Sequence, residues 1–234
     1  MTSAALIFTR SDSIRLPQKF RAKIGGLPLL ELIVRRATQL SCDIIIVATS
    51  DRSIDDEIED IVKALAPKLS KKVYCLRGAF EDVVLRTRQA IESYQVTSFC
   101  RINGDSPFFP IGELNDAFAL LSAGYSFVNN IRERSYPYGV AVEVMNSVFF
   151  NSHLHLVDPI NKEHITSHLY LSIKFDKEIV LKNNEDWSKF ELVVDTADDL
   201  VNLQALVNKL SMDLMDMSYR DLFALAQGSE GNEC

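Results

Sequence analysis

The sequence lacks the short motifs that identify many common sites. It has no GxxxxGKS/T phosphate loop, no GxGxxG dinucleotide fingerprint, no GxSxG nucleophile elbow and no HExxH zinc motif. Its four cysteines, Cys42, Cys75, Cys100 and Cys234, form no CxxC pair, which argues against a zinc ribbon or a thioredoxin-like site. Three of them lie in or beside apolar runs, and we expect these to be buried reduced thiols.

The chain also lacks a basic excess and a long apolar segment. Its net charge is −7, whereas proteins that bind nucleic acid usually carry a positive surplus. No apolar run reaches membrane-spanning length, and "MTSAALIFTR" does not place a basic start before a long apolar stretch. We therefore expect a cytoplasmic protein that binds neither nucleic acid nor membrane, although a local basic cluster could still hold a small anion.

Apolar runs and helical patterns alternate through the first half of the chain. Apolar residues make up 47% of the sequence, enough for a sizeable core. Strands are expected at 4–9, 43–50, 72–76 and 97–102, and helices at 28–40, after Ser53 and at 81–94. Ser53 and Asp56 have the spacing of a capping box. This alternation predicts an α/β fold with a doubly wound, mainly parallel sheet and helices on both faces.

The second half is less regular. Strands are expected at 125–130, 139–145 and 190–195, with a helical or mixed segment at 164–173 and a last helix from Ala197. We interpret residues 1–234 as a single domain, in which about 130–185 form a small inserted lobe.

Parallel strands bring their carboxyl ends to one edge of the sheet, where ligands of such folds bind. Four loops should therefore meet there, at 10–19, 49–53, 77–82 and 103–109. They carry polar residues that are hard to explain as packing. These are Arg10, Arg15, Lys19, Arg77, Asp82, Asn103 and Asp105.

Eight segments stand out between about residue 4 and residue 200. They are RSDSIRLPQK, IGGLPLLELIVRR, IIVATSDRSIDD, RGAFEDVVLRTRQA, RINGDSPF, YPYGVAVEV, KEHIT and VVDTADDL. In this order they resemble the cytidylyltransferase family that includes CMP-Kdo synthetase, the CMP-acylneuraminate synthetases and the spore-coat polysaccharide protein F branch. Each segment alone is weak evidence, and their shared order carries the resemblance.

The resemblance implies a nucleotide-diphosphosugar-transferase-like fold and the transfer of CMP from CTP to an acidic sugar, with release of pyrophosphate. It assigns Arg10, Ser13, Arg15 and Lys19 to the triphosphate. Cationic groups suit that role, because they neutralise charge during phosphoryl-type transfer. A lone Arg10 or Arg15 could equally be a solvated loop arginine.

Asp105 and Asp195 match the family's magnesium-binding aspartates. Mg²⁺ prefers oxygen ligands and keeps several waters, so two carboxylates and phosphate oxygens would suit it. The alternative interpretation is that each aspartate caps a helix.

The remaining matches concern the nucleotide base, the acceptor and the dimer. Arg77, Gly78, Asp82, Asn103 and Gly104 match positions near the nucleotide, with Gly104 allowing a close approach of the backbone. Tyr138, Glu143 and His164 fall in the family's acceptor and dimer region, and the family's dimers imply a homodimer. The alternative for Arg77, Gly78 and Asp82 is a capped helix start with a solvated arginine.

The chain departs from the branch pattern at several positions. Asp12 and Gln18 stand where glycine is usual, Ala141 replaces an aspartate, Glu191 an arginine and Thr196 a glutamate. These changes fit a shifted acceptor, and they also fit a nucleotide-binding homologue without turnover. A phosphorylated acceptor that gives a CDP product is a further alternative. We expect Asp12 to turn away from the phosphates, either pairing with Arg15 or Lys19 or capping the loop.

Overall fold

The computed structural model describes residues 1–157 and 165–230. The strands are β1 (Thr2–Phe8), β2 (Lys23–Ile24), β3 (Leu27–Pro28), β4 (Ile44–Ser50), β5 (Lys72–Gly78), β6 (Val96–Asn103), β7 (Phe127–Asn129), β8 (Glu143–Asn146) and β9 (Glu178–Val180). The α-helices are α1 (Leu29–Ala37), α2 (Asp56–Leu65), α3 (Val83–Tyr94), α4 (Ile111–Ser122), α5 (Ser147–Ser152), α6 (Ser167–Leu171), α7 (Ala197–Lys209) and α8 (Tyr219–Glu230).

Seven strands form one sheet in the order β5-β4-β1-β6-β8-β7-β9. Strand β1 lies between β4 and β6 and is parallel to both, and β4 is parallel to β5. Strand β8 is antiparallel to β6 and β7, while β7 and β9 are parallel. The expectation of a doubly wound, mainly parallel sheet is confirmed.

The sheet is buried on both faces. Successive residues of β1 point to opposite sides, so Ala5 and Ile7 enter one apolar cluster while Ala4 and Leu6 enter the other. Strand β4 is buried along its whole length. Continuous burial explains why these strands appear in the sequence as unbroken apolar runs.

Two of the three free thiols are in this core. Cys42 and Cys100 are buried, as expected, whereas Cys75 is half-buried. Cys234 lies outside the described residues. Within the described ranges, no helix is both long enough and apolar enough to cross a membrane.

Helix starts differ in how they are capped. Asp82 caps α3 by accepting a hydrogen bond from the amide of Leu85 at 2.7 Å. The capping box expected at Ser53 is wrong, because residues 53–55 form a short 3₁₀ turn and α2 begins at Asp56 without a side-chain cap. The residue before α2, Asp55, is instead buried and accepts hydrogen bonds from the amide of Ser11 and the hydroxyl of Ser50.

The second half contains the other corrections. The strand expected at 190–195 is instead an extended segment with one isolated parallel bridge, between Tyr138 and Glu191. The strand expected at 139–145 is confined to β8. Helix α4 and strand β9 were not expected. Strands β7, β8 and β9 belong to the main sheet, and the inserted lobe at about 130–185 stays a prediction.

The strand order fixes where a cleft can form. From β1 the chain moves outward through β4 and β5, then returns to the other side of β1 with β6. The loops after β1 and β6 therefore leave the sheet side by side at the point where the winding direction reverses. In open α/β sheets this switch point is where ligands bind.

His168 lies on α6, which packs on the face of the sheet that carries Ala4 and Leu6. Its burial can be tested by measuring stability against pH. Its side chain is 4% exposed, and neither ring nitrogen has a hydrogen-bond partner among the described residues. Burial, with smaller contributions from His153 and His155, lowers the pKa of His168 to about 4. The unfolded chain, with a pKa near 6.5, then takes up this proton more readily than the folded one.

We expect stability to fall as pH decreases from about 6.5 to about 4, and His168 to account for roughly 2 kcal/mol of the loss by pH 4.5. Urea unfolding at pH 7 and pH 4.5 measures this. The His168→Leu variant should lose correspondingly less stability over the same interval, since carboxylates titrate equally in both proteins. Equal losses in the two proteins would show that His168 is not responsible.

Candidate active site

A cleft of about 880 Å³ opens at the switch point between β1 and β6. Its volume is within the usual range for small-molecule sites. The cleft brings together ten of the residues that the sequence singled out. They are Arg10, Ser13, Arg15, Lys19, Asn103, Gly104, Asp105, Tyr138, Glu143 and Asp195.

Lys19 joins the two aspartates at the centre of the cleft. Its Nζ donates to Asp105 Oδ2 at 2.8 Å and to Asp195 Oδ1 at 3.0 Å. Arg15 Nη2 donates to the other oxygen of Asp195 at 2.6 Å. Burial alone lowers the pKa of Lys19, but the two carboxylates outweigh it and leave the pKa raised. The group is therefore charged at neutral pH.

The two carboxylates are suitable oxygen ligands for a magnesium ion, provided that a bound molecule supplies the rest of the coordination shell. They contact the same ammonium nitrogen, so their oxygens face one small region of the cleft. In the part of the chain that the structure describes, no group of three or more acidic, histidine or cysteine side chains forms a metal site. A cation held by two carboxylates alone would need phosphate oxygens and water to complete its coordination.

Neither aspartate caps a helix. Thr196 caps α7 by accepting from the amide of Asp199, and Asp199 in turn accepts from the amide of Thr196. Asp105 follows β6 by two residues, and its Oδ1 accepts a hydrogen bond from Ser106 Oγ. The helix-cap interpretation is wrong for both residues, which leaves their side chains directed into the cleft.

The loop after β1 is anchored by a carboxylate that the sequence did not single out. Asp55 is fully buried and accepts from the amide of Ser11 at 2.7 Å and from the hydroxyl of Ser50. Burial alone raises the pKa of Asp55, but these hydrogen bonds outweigh it and lower the pKa. Asp55 thus ties the start of the loop to the end of β4.

Gly104 makes a close approach to the neighbouring strand. Its amide donates to the carbonyl oxygen of Phe8 at 2.8 Å. A Cβ at this position would lie 2.7 Å from that oxygen and 2.7 Å from Cβ of Thr9. Packing against β1 therefore accounts for the glycine, and a close approach to a ligand is not needed to explain it.

Glu143 also lines the cleft, and its carboxylate already has three donors. Arg101 Nη1 donates to Oε2 at 2.5 Å, Tyr170 donates to Oε1 at 2.7 Å, and Thr166 also donates to Oε1. Burial and Glu143 together raise the pKa of Tyr170. With 1% of its surface exposed, Glu143 holds the wall of the cleft rather than presenting a free carboxylate.

Three of the expected site residues that the structure describes do not line the cleft. Arg77 pairs with Asp56 and Glu59 on α2, at 2.5 and 3.2 Å. Gly78 ends β5, and Asp82 caps α3. These contacts favour the structural alternative for all three. His164 lies outside the described residues.

The structure adds Phe80, Arg86 and Arg101 to the cleft. A helical pattern could have identified Arg86, because the buried face of α3 includes Val83, Arg86, Ala90 and Ile91. This spacing is that of a core-facing stripe. An arginine in such a stripe is noteworthy, since arginine is rarely buried without a partner.

A profile of the family described as "Cytidylyltransferase" matches residues 4–165. The chain belongs to the cytidylyltransferase family. It is similar to the 3-deoxy-manno-octulosonate cytidylyltransferase of Photobacterium profundum, with 32% identity over 114 residues, which cover 47% of this chain and 42% of that enzyme. The chain spans less than half the length of the curated relatives that it matches first.

Solved structures show the same fold. A cytidylyltransferase from Leptospira borgpetersenii superposes with a TM-score of 0.88 at 24% identity, covering 100% of this chain and 98% of that one. A CMP:2-keto-3-deoxy-manno-octonic acid synthetase complexed with CTP superposes with a TM-score of 0.65 at 16% identity, covering 89% and 99%.

Two of the departures from the branch pattern have local explanations. Gln18 adopts a left-handed conformation, with φ of 53°, which is the conformation that favours the glycine usual at this position. Thr196 caps α7, as described above. For Ala141, which also lines the cleft, the contacts offer no comparable reason.

Asp12 pairs with different residues from those expected. Its Oδ2 contacts Arg52 Nη2 at 2.6 Å and its Oδ1 is 3.5 Å from Arg10 Nε. The expectation of a pair with Arg15 or Lys19 is wrong, because those two cations are engaged by Asp105 and Asp195. Two guanidinium groups thus offset the negative charge of Asp12.

We expect Asp12→Gly to change the affinity for CTP by less than about threefold, because the carboxylate that it removes is already compensated by two arginines. Calorimetric titration of both proteins with CTP and magnesium measures the change. A gain of about tenfold or more would mean that Asp12 opposes the triphosphate, and would favour a binding protein without turnover.

Proposed function

We propose that this protein transfers CMP from CTP to an acidic sugar of the 3-deoxy-octulosonate or nonulosonate type and releases pyrophosphate, for the synthesis of a surface glycan. The observation that carries the proposal is the grouping of Arg10, Arg15 and Lys19 with Asp105 and Asp195 at the switch point. Matched relatives named as 3-deoxy-manno-octulosonate cytidylyltransferases support the choice of acceptor.

The cations belong to the triphosphate in this proposal. Arg10, Arg15 and Lys19, with Ser13 between them, line one side of the cleft. The acceptor's hydroxyl oxygen bonds to the α-phosphorus, the bond from that phosphorus to the bridging oxygen of pyrophosphate breaks, and the hydroxyl proton passes to solvent. Negative charge accumulates on the leaving pyrophosphate, where fixed cations stabilise the transition state.

The two aspartates would hold Mg²⁺, as their shared contact with Lys19 allows. When bound, this ion would neutralise phosphate charge and lower the pKa of an attacking hydroxyl. Lys19 and Arg15 must then give up their carboxylate partners. They become available to phosphate oxygens, so the same four side chains serve both states of the site.

The acceptor would occupy the end of the cleft near Tyr138. Arg134 also lines this end, and its guanidinium stacks over the Tyr138 ring at 5.6 Å. An exposed guanidinium suits the carboxylate of an acidic sugar, which it can bind with two hydrogen bonds. Arg101 is less available, since Glu143 already pairs with it.

With magnesium and an acidic sugar present, we expect CTP to support pyrophosphate release much better than ATP, GTP or UTP does. Phosphorus NMR of the product should show a single phosphorus, as in a CMP-sugar. A product with two phosphorus atoms would indicate a phosphorylated acceptor, and CTP binding without pyrophosphate release for any acceptor would indicate a homologue without turnover. Equal responses to all four nucleotides would remove the cytidylyl assignment.

Asp105→Asn and Asp195→Asn should each lower turnover by about two orders of magnitude or more, the effect of losing one key electrostatic group. Stability should change little, because neither side chain caps a helix and each substitution leaves Lys19 paired with the other carboxylate. Steady-state kinetics and urea unfolding measure both quantities.

Asp43→Asn is the matched control. Asp43 accepts from the amide and hydroxyl of Ser3 at 2.7 and 2.8 Å, at the opposite end of the strands from the cleft. Its turnover should stay at the wild-type level. Early melting of the Asp105 or Asp195 variant, with normal activity per folded molecule, would show a purely structural role.

A further inference from the structure

Arg86 is a buried cation that faces the cleft without an acidic partner. Its side chain belongs to α3, is 1% exposed and lines the cleft. Among the described residues, no carboxylate forms an ion pair with it. Burying a charge without an ion pair is costly, because carboxylates that are not in contact with it offset only part of the lost hydration.

Backbone carbonyl groups satisfy only part of the guanidinium. Its Nε and Nη2 donate to the carbonyl oxygen of Ala79 at 3.0 and 2.6 Å, and Nη2 also donates to that of Phe80 at 2.9 Å. Nη1 donates to none of the described residues. These bonds hold the segment that places Phe80 in the cleft, and leave donors of Nη1 for another acceptor.

Charges of both signs act on Arg86, since Arg10 and Arg52 repel it while Asp55 and Asp51 attract it without forming an ion pair. Arg52 and Arg10 lie over the Phe80 ring, at 3.4 and 5.1 Å from its centroid. Asp12 offsets part of their charge. Burial, followed by the charge of Arg10, outweighs the attraction of Asp55 and Asp51 and lowers the pKa of Arg86 to about 10, which leaves it charged at neutral pH. The guanidinium groups of Arg10 and Arg86 line the cleft, and that of Arg52 contacts Phe80, which also lines it.

We propose that Arg86 is a further phosphate-binding residue, whose missing counter-charge is supplied by the polyphosphate of the bound nucleotide. The inference rests on the proposed function, since it takes CTP as the ligand. It goes further by assigning a ligand contact to a helix residue outside the loop that follows β1. The guanidinium serves two purposes, because it holds the Phe80 segment and meets the anion with Nη1.

Calorimetric titration of Arg86→Gln and Arg86→Met with inorganic tripolyphosphate, CTP and cytidine tests the assignment. Glutamine keeps a donor for the carbonyl groups without the charge, so it remains informative if the methionine variant folds poorly. We expect both variants to bind tripolyphosphate and CTP about tenfold more weakly or worse, as for a lost hydrogen bond to a charged group. Cytidine affinity should change by less than about twofold.

Arg36 provides the matched control. It too is a buried arginine that donates to backbone carbonyl groups, those of Leu214 and Met215, and burial lowers its pKa to about 10. It does not line the cleft. Arg36→Gln should lower the melting temperature but leave the affinity for tripolyphosphate and CTP within about twofold of wild type.

The outcomes separate this inference from the proposed function. Unchanged tripolyphosphate binding in both Arg86 variants, or an equal loss for cytidine and tripolyphosphate, overturns the phosphate contact while wild-type CTP binding stands. If the wild-type protein binds tripolyphosphate but does not prefer CTP to ATP, GTP and UTP, the cytidylyl assignment is removed and the Arg86 comparison stays valid. A wild-type protein that binds neither overturns both.

Discussion

The ammonium group of Lys19 is the contact on which the arrangement of the site depends. It connects the loop after β1 to Asp105, 86 residues away, and to Asp195, 176 residues away. A lysine inserted between two carboxylates offsets their mutual repulsion and fixes both of them. Without it, the segment before α7 would bring a second negative charge beside Asp105 with no nearby compensation except Arg15.

The sheet could be predicted from the sequence where local pattern and tertiary burial agree. Strands β1 and β4 are continuous apolar runs because both of their faces are covered. Strand β9 was missed because it has three residues and begins with a buried glutamate, Glu178, that Arg132 neutralises. The segment at 190–195 was wrongly predicted to be a strand for the opposite reason: it is apolar but pairs through one bridge only.

Only part of the site could be predicted from the sequence. Prediction succeeded for residues in loops that follow strands and failed for buried residues. Residues that follow strands were found, because all parallel strands end at one edge and the family motifs fall there. Asp55 was missed because its role depends on burial and on a hydrogen bond from the amide of Ser11, 44 residues away. Arg86 was missed although its helical spacing places it on the buried face of α3. Asp55 and Asp56 are adjacent aspartates, and nothing in the local pattern shows which one turns inward.

The ion pairs of Lys19 and Arg15 also have a thermodynamic consequence. A cation that takes the two carboxylates releases the two basic side chains, and an anion that takes the basic side chains releases the carboxylates. Each ligand removes a competitor of the other, so the two should bind with positive cooperativity. By linkage, the factor by which a metal ion strengthens nucleotide binding equals the factor by which the nucleotide strengthens metal binding. If magnesium and CTP bind here as proposed, the aspartate–lysine–aspartate contact makes them interdependent ligands of one site.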